Sequence, residues 1–534
     1  MSHVRKVLFF SPFAFTWAQI VPEFQLAQLL HAEGFQVKVI GCRRSYSTRC
    51  TSMEVARLPT DANEREREKV CKKCISNSRL LAESFSEIQF SPIEAYSDDR
   101  NTSSNLAPEI PKTPEEILGY SRDGIKLGRL ALYETVIKFK KFNVELNPIE
   151  RRYFEMFFLS ALKVLDQAAT ALRTEKPDVV ICYSPQYVIP GIFAAVAARE
   201  GIRTIFIEGS SNDMERHSHL RMWDWKTHGL NQPALAVPER FESFKLTTSG
   251  TARAKRLMEV RQNASAHSAY TSAAKNASPF DVFHLDKNKK YIVLAMSSYD
   301  EVFSGYVIEK LPRARFEGRV FKNQIEWLRE TIAWISSHAE LQLVIRPHPR
   351  EFPNKWENSF SPHVKEWTSV LASLPPNVKV DPPDLKFSLY DHLAHADVLI
   401  TGWSSVGVEA LSKGVPVVTY DEELPPFPKS IHYSGTSKSE YFKNIFLACQ
   451  DIDRNRHIEN ATKWLAYTSE VGTIETGGRL DDRFKILAKL NIRGLLRQRL
   501  PRRLDLFFPP SKRDIKRLLD LVQGKGTSLF DLPK

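Results

Sequence analysis

Two short stretches place reactive side chains where apolar runs end. Leu343-Val344-Ile345 leads into Arg346-Pro347-His348-Pro349-Arg350, and Ala396-Asp397-Val398-Leu399-Ile400 leads into Thr401-Gly402-Trp403-Ser404-Ser405-Val406-Gly407. The second loop supplies hydroxyls from Thr401, Ser404 and Ser405, while Gly402 and Gly407 would let a ligand approach the backbone closely. A helix-like segment then runs to Lys413. Its free N–H groups and positive dipole end would favour a phosphate or carboxylate at the same spot. The plainer alternative is that Ser404 or Ser405 caps the helix, contributing about 1 kcal/mol. Arg346, His348 and Arg350 add cationic or donor groups at a neighbouring strand end, on a backbone that two prolines hold fixed. A nucleoside mono- or diphosphate is the guest that such a pair of loops suits. Ser297 and Ser298 follow the apolar run Lys290–Ala295 and could touch a phosphate or equally be turn formers.

The elements that must position these groups alternate between strand and helix patterns. Lys6–Phe10 and Gln36–Ile40 read as strands around a helix that Gly34 ends. The loop between carries Phe13, Phe15 and Trp17. Helices are expected over 126–143 and 148–174, and strands over 177–182 and 204–207, the latter delivering Glu208-Gly209-Ser210-Ser211-Asn212-Asp213 to the same sheet edge. Residues 90–125 read as a polar insertion and residues 231–288 as a helical linker. A second strand–helix series runs over 289–490, with Val415–Val418 as one of its strands, and a basic tail covers 491–534. Ligands of open parallel sheets bind at the carboxyl ends of the strands, where all of this chemistry falls.

Composition narrows the class. A chain of 534 residues with 42% apolar and 26% charged residues is an ordinary globular protein of two or more domains. No run approaches the eighteen or so apolar residues of a membrane span. Ser11-Pro12 interrupts the apolar start that imitates a signal peptide, so a cytoplasmic protein is expected. Between Arg493 and Arg517 nine basic residues face two acidic ones, around Leu504, Leu506, Phe507 and Phe508. That composition suits peripheral attachment to an anionic membrane surface, or a strap packed on its own protein. No nucleic-acid motif accompanies the charge, so nucleic acid is not an expected partner.

Cys42, Cys50, Cys71 and Cys74 fall early, the last two as C-x-x-C. Disulfides are rare in the cytosol, so a structural zinc tetrathiolate is one reading; buried free thiols and a redox pair are the others. Cys182 and Cys449 read as core residues. Asp451-Ile452-Asp453 has the D-x-D form but sits in a helical region away from any strand end. P-loop, dinucleotide-binding and nucleophile-elbow motifs are absent from the sequence.

The Arg-Pro-His-Pro loop followed by "HADVLITGWSSVGVEALSKGVPVV" resembles bacterial capsule and lipopolysaccharide glycosyltransferases of the two-domain GT-B type. Its HP and SS elements resemble those of polysialyltransferases and capsule Kdo transferases, which use CMP-sugars; teichoic-acid CDP-glycerol transferases carry a related pattern. The resemblance is densest over the C-terminal half. It implies an α/β fold, GT-B-like, with two Rossmann-like domains facing across a cleft: residues 1–230 as the acceptor domain and 289–490 as the nucleotide-sugar domain. It implies a nucleotide-sugar donor, a glycan or glycolipid acceptor, and catalysis without a metal cofactor. Donor binding would fall to Arg346, His348, Pro349, Ser297, Ser298, Thr401, Ser404, Ser405 and Glu409, with His348 also protonating or hydrogen-bonding the leaving phosphate. Phe13 and Trp17 would meet the acceptor. Glu208, followed by Gly209, resembles the element that furnishes the general base, with Asp213 and Glu215 as competitors and a nucleophilic role open if configuration is retained. A CDP-polyol phosphotransferase, a sugar-nucleotide 2-epimerase and a non-catalytic membrane assembly factor are the alternatives.

Overall fold

A computed structural model describes residues 5–97, 109–210, 212, 215–216, 218–225, 233–265, 272–310, 318–354, 358–382, 385–476 and 510–533. Of Trp17 and Ala18 it describes the backbone alone. The chain divides into two compact units. The first comprises residues 1–135, 144–228 and 471–534; the second comprises 136–143 and 229–470.

The first unit is built on seven strands in the order β13-β6-β5-β4-β1-β2-β3. Strands β1 (Lys6–Phe10), β2 (Gln36–Gly41), β3 (Gln89–Pro92), β4 (Val179–Tyr183) and β5 (Arg203–Gly209) are parallel. Strands β6 (His219–Asp224) and β13 (Ile474–Glu475) continue the sheet antiparallel. The central strands β1 and β4 are nearly continuous apolar runs, as expected of strands buried on both faces. Helices α1 (Trp17–Ala32), α2 (Thr51–Val55) and α3 (Glu64–Ser84) fill the β1–β2–β3 connections.

The second unit is a six-stranded, wholly parallel sheet in the order β12-β11-β10-β7-β8-β9. Its strands are β7 (Lys290–Ala295), β8 (Leu341–Arg346), β9 (Val378–Val380), β10 (Val398–Thr401), β11 (Val417–Thr419) and β12 (Tyr433–Ser434). Taken in chain order within each unit, the first sheet runs 3-2-1-4-5-6-7 and the second 3-2-1-4-5-6, so both share the doubly wound Rossmann order over six strands. Each therefore reverses direction beside its first strand, at β1/β4 and at β7/β10.

Several boundaries differ from the sequence expectation. Lys140 is buried in the second unit, where its Nζ donates to the carbonyls of Phe352 and Ser359 at 2.9 and 2.6 Å. The expected linker is instead part of that unit, because helix Thr248–Gln262 packs on helix Arg454–Glu470. Residues 90–97 are structured: Ile93 and Tyr96 are buried, and Glu94 accepts backbone N–H groups from Arg43, Arg44 and Ser45. Beyond Val471 the chain joins the first unit. Helix Lys512–Val522 buries Leu518, Leu521 and Val522 in the first unit's core. Arg517, counted with the membrane-facing basic residues, is 2% exposed and donates to the carbonyls of Thr473, Val471 and Leu529. The other basic and aromatic residues of that window up to Phe508 lie outside the described residues. Among the described residues no helix is long and apolar enough to cross a membrane.

Candidate functional site

The reversal at β7/β10 opens a cavity of about 360 Å3 at the carboxyl ends of β7, β8 and β10. Ser297, Ser298, Arg346, His348, Pro349, Ser404, Ser405 and Glu409 all line it, so residues separated by more than a hundred positions meet on one sheet edge. Its volume falls within the range of small-ligand sites.

His348 carries the most specific geometry. The Arg350 backbone N–H donates to His348 Nδ1 at 3.2 Å. An Nδ1 acting as acceptor puts the imidazole proton on Nε2, making the ring a neutral donor. Burial, followed by the charges of Arg350, Arg346 and Lys140, pulls its pKa down to about 3. The free protein therefore presents a hydrogen-bond donor here. The same burial and cations disfavour the protonated ring in the free protein.

The flanking arginines are anchored. Arg346 Nη1 pairs with Asp381 and donates to Phe387 O at 3.0 Å. Asp381 also meets His392 Nε2 at 3.1 Å, and His392 Nδ1 meets the Tyr291 hydroxyl. Arg350 Nε and Nη2 both reach Asp300 Oδ2, at 3.2 and 2.9 Å. These pairs hold the Arg-Pro-His-Pro turn rigid while keeping positive charge behind it, so Arg346 is wall and strut at once.

The hydroxyl set is smaller than the sequence suggests. Thr401 is fully buried and donates to Ala295 O at 2.9 Å, tying β10 to β7, and it does not line the cavity. The Ser297 hydroxyl accepts from Trp403 N–H at 3.1 Å, and the Ser298 hydroxyl donates to Asp300 at 2.5 Å. Both serines are framework: Gln324 brackets the Ser297 backbone with bonds of 2.7 and 3.0 Å. Ser404 Oγ accepts from Val406 N–H at 3.3 Å, whereas Ser405 makes no capping bond. The glycines also serve another purpose. A Cβ on Gly407 would stand 2.5 Å from the Phe427 ring, and one on Gly402 would stand 3.0 Å from Tyr420. Their bareness accommodates aromatic packing behind the loop.

Glu409 closes the far wall, bonded to the Tyr390 hydroxyl and 3.6 Å from Arg261 Nη1. Arg261, Gln324 and Lys140 escaped sequence reasoning. Arg261 and Lys140 come from segments read as linker and as first-domain helix, and a buried glutamine has no spacing signature.

In the first unit, Glu208 stands near the end of β5, opposite Arg221 of β6 in the register, and pairs with Arg221 Nη2 at 2.7 Å. Arg221 Nε also donates to Gly209 O at 3.2 Å. A Cβ on Gly209 would lie 2.4 Å from Arg216 O, so this glycine lets the following loop fold back. Tyr183 adjoins Glu208; burial, then that carboxylate, pushes its pKa up to about 12. Glu215 lies in the following turn, its backbone N–H donating to Asn212 O. Asp213 lies outside the described residues.

Phe13, expected to meet the acceptor, is 5% exposed and lines a small cavity. The side chain of Trp17 lies outside the described residues. The four early cysteines line the same cavity as Phe13 and are unbridged. Among the described residues no group of three or more His, Cys, Asp or Glu stands at metal-holding distances. Asp451 of the D-x-D sequence is taken up by Tyr433, Arg456 and His457.

No protein-family model matches the chain, and no curated protein sequence matches it. Solved structures give distant likenesses. The UDP-GlcNAc 2-epimerase of Neisseria meningitidis, solved bound to UDP-GlcNAc, is 11% identical, with 91% of this chain and 100% of that one covered at a TM-score of 0.33. The Methanocaldococcus jannaschii UDP-GlcNAc 2-epimerase, in complex with UDP-GlcNAc and UDP, is 13% identical over 88% and 99% at 0.31. A calicheamicin glycosyltransferase is 13% identical over 93% and 100% at 0.27. TM-scores this low bear on neither reaction nor substrate.

Proposed function

We propose that this chain is a glycosyltransferase that moves a sugar from a nucleotide-sugar donor to a cell-surface glycan in capsule or lipopolysaccharide synthesis. The observation that carries the reading is the cavity at β7/β10, with the neutral His348 Nε2–H donor, the Ser404 and Ser405 hydroxyls and anchored arginines behind. Such a set can accept a phosphate without a metal ion, because fixed donors and cations stabilise the charge that develops on a leaving nucleotide. A bound phosphate would also strengthen its bond to His348 as water is excluded. Glu409, tied to Tyr390 and Arg261, is a hydrogen-bond acceptor on the wall and suits sugar or ribose hydroxyls. Glu208, near the end of β5 and held by Arg221, is the proposed base for the acceptor hydroxyl. The HP and SS resemblance favours a CMP-linked donor ahead of a UDP-linked one.

The test is a thermal-shift titration with CMP, CDP, UDP and GDP, followed by product analysis with radiolabelled donor and a glycan acceptor. CMP should raise the melting temperature in a concentration-dependent way, as a ligand selective for the native state must. Label should then enter the glycan. Epimerised donor without transfer, or polyol phosphate transfer, would replace this reading with one of those activities. A flat response to all four nucleotides would remove the donor site.

A further inference from the structure

Lys140 combines two costly features at one position. The chain turns out of helix Leu127–Phe139 there, with the Lys141 backbone N–H returning to Val136 O at 3.0 Å. In such a turn the residue after the helix takes the left-handed conformation, a place that suits glycine best. Lys140 has a φ of +52°, and its side chain is fully buried. Left-handed backbone at a residue with a side chain, and an ammonium taken out of water, each raise the free energy. Lys176 stands at the corresponding place after helix Pro148–Glu175, with a φ of +47°, but is exposed. Helix termination therefore accounts for Lys176 and leaves the burial of Lys140 to be explained.

What the side chain reaches is the stretch that leaves the His348 turn. Its Nζ donates to Phe352 O at 2.9 Å and to Ser359 O at 2.6 Å, on either side of the residues that follow Pro349–Glu351. The backbone joins in: Ser361 Oγ donates to Lys140 O at 3.2 Å, and Arg350 Nη2 donates to Ile137 O at 3.2 Å. These bonds tie residues 137–140 to residues 350–361, all within the second unit. Carbonyl partners orient an ammonium without neutralising it, and the Lys140 charge is one of those that favour the neutral His348 ring. Lys140 does not line the cavity, so whatever it does for a ligand it does through the turn.

We propose that Lys140 is a positioning residue of the phosphate subsite, clamping the Arg-Pro-His-Pro turn so that His348 Nε2–H keeps its aim at the nucleotide's phosphate. This role rests on the donor site proposed above. Arg350, which holds the turn from the other side through Asp300, is itself steadied by the Ile137 carbonyl of the same segment. A donor group displaced by about 1 Å can lose about 10²-fold in rate, so a clamp one residue layer behind it has a large lever. The clamp is specific to the phosphate: it fixes the turn that meets the charge and makes no contact with the wall formed by Glu409 and Tyr390.

The test is calorimetric titration of the full chain with CMP, or whichever of the four nucleotides gives the thermal shift, and with the matching nucleoside. Lys140→Met should weaken the nucleotide by about tenfold or more and the nucleoside by less than about twofold. Lys140→Gln, which keeps an N–H donor for one carbonyl, should recover part of the loss, and Lys176→Met should change neither affinity. A merely structural lysine would lower both affinities by one factor, or neither, and either result in folded Lys140→Met overturns the role. Should Lys140→Met fail to fold, hydrogen exchange of the unmutated protein decides. Nucleotide should then slow exchange over residues 136–143 together with residues 348–352, and protection around Ser404 and Ser405 without any over 136–143 would overturn the role. An unmutated protein that binds none of the four nucleotides removes the donor site itself; one that binds, with Lys140→Met unimpaired, removes only the clamp.

Discussion

The two sheets have the same order and reverse at the same place, yet they treat that place oppositely. At β7/β10 the crevice is open, about 360 Å3, and its walls are held by groups that point away from it. At β1/β4 the corresponding place receives a side chain from α1: Glu23 is 4% exposed, near Ser11 at the end of β1 and Cys182 of β4. Burial pushes the Glu23 pKa up to about 8, so the plug is a neutral carboxyl. Rossmann order alone therefore does not make a ligand site. What decides is whether the helix after the first strand delivers a side chain into the crevice or leaves it empty.

The largest expected effect tests the charged group near that first crevice. Glu208→Gln should slow transfer by about 10²- to 10⁴-fold, the range for losing a general base, with the nucleotide-dependent thermal shift retained. If the residue only secures β6 to β5, Glu208→Gln and Arg221→Met would lower the melting temperature equally and leave turnover per folded molecule unchanged. His348→Ala should come next, at about 10²- to 10³-fold, the usual loss on removing one donor to developing charge. Unlike Glu208→Gln, it should also weaken the nucleotide shift. His348→Asn, which keeps an N–H donor, should recover part of both. Equal nucleotide shifts in His348→Ala and the unmutated protein would erase the contrast between the two sheets.

The second sheet's site was largely legible because its chemistry lies in continuous loops after recognisable strands: Ser404, Ser405, His348 and Pro349 could be placed by counting. Which atoms face the cavity was not legible. Thr401 and Ser404 are three residues apart in one loop, yet one hydroxyl bridges two strands and the other lines the wall. That choice depends on the Ala295 carbonyl a hundred residues away. In the first sheet the strands were equally legible, but the burial of Phe13 in its loop was not, and Glu23 drew no notice because a glutamate on a helix usually faces water. The division of the chain was hidden for a related reason. Segment 136–143 and the C-terminal helix change unit through tertiary packing, which periodicity does not encode.

Opposite contents should give the sheets opposite responses to pH. Glu23 and Glu134 in the first unit both rise to about 8 from an ordinary 4.5, chiefly through burial. Between those values the native state holds protons that the unfolded chain has lost, so the first unit should lose stability as pH rises from about 4.5 to 8. In the second unit burial lowers His348 to about 3 and His432 to about 4, from 6.5. There the unfolded chain binds the extra protons, so this unit should gain stability as pH rises through that window to about 6.5. Each group contributes about 1.4 kcal/mol per pH unit inside its window. Hydrogen exchange followed by peptide mass, corrected for intrinsic rates, should show slopes of opposite sign for the two units between pH 5 and 6.5. Parallel slopes would mean that these groups are solvated.

The smallest effect separates packing from binding. A Cβ on Gly41, at the end of β2, would stand 2.6 Å from the Phe90 ring, nearly the same intrusion that Gly407 would make on Phe427. Each Gly→Ala substitution forces an aromatic ring to move and should cost about 1–3 kcal/mol, read from denaturant midpoints. The energetic injuries match but their consequences should not. Gly407 is flanked by Val406, which lines the β7/β10 cavity, so displacing Phe427 shifts the loop that carries Ser404 and Ser405. Gly407→Ala should therefore weaken nucleotide binding several-fold beyond its stability cost. Gly41→Ala should leave that affinity as it was, because the Phe90 ring packs into the first unit's core and against Phe24. Equal affinity losses in the two variants would show that the nucleotide site responds to general loosening of the chain, and the β7/β10 crevice would lose its claim to be the place where the ligand is held.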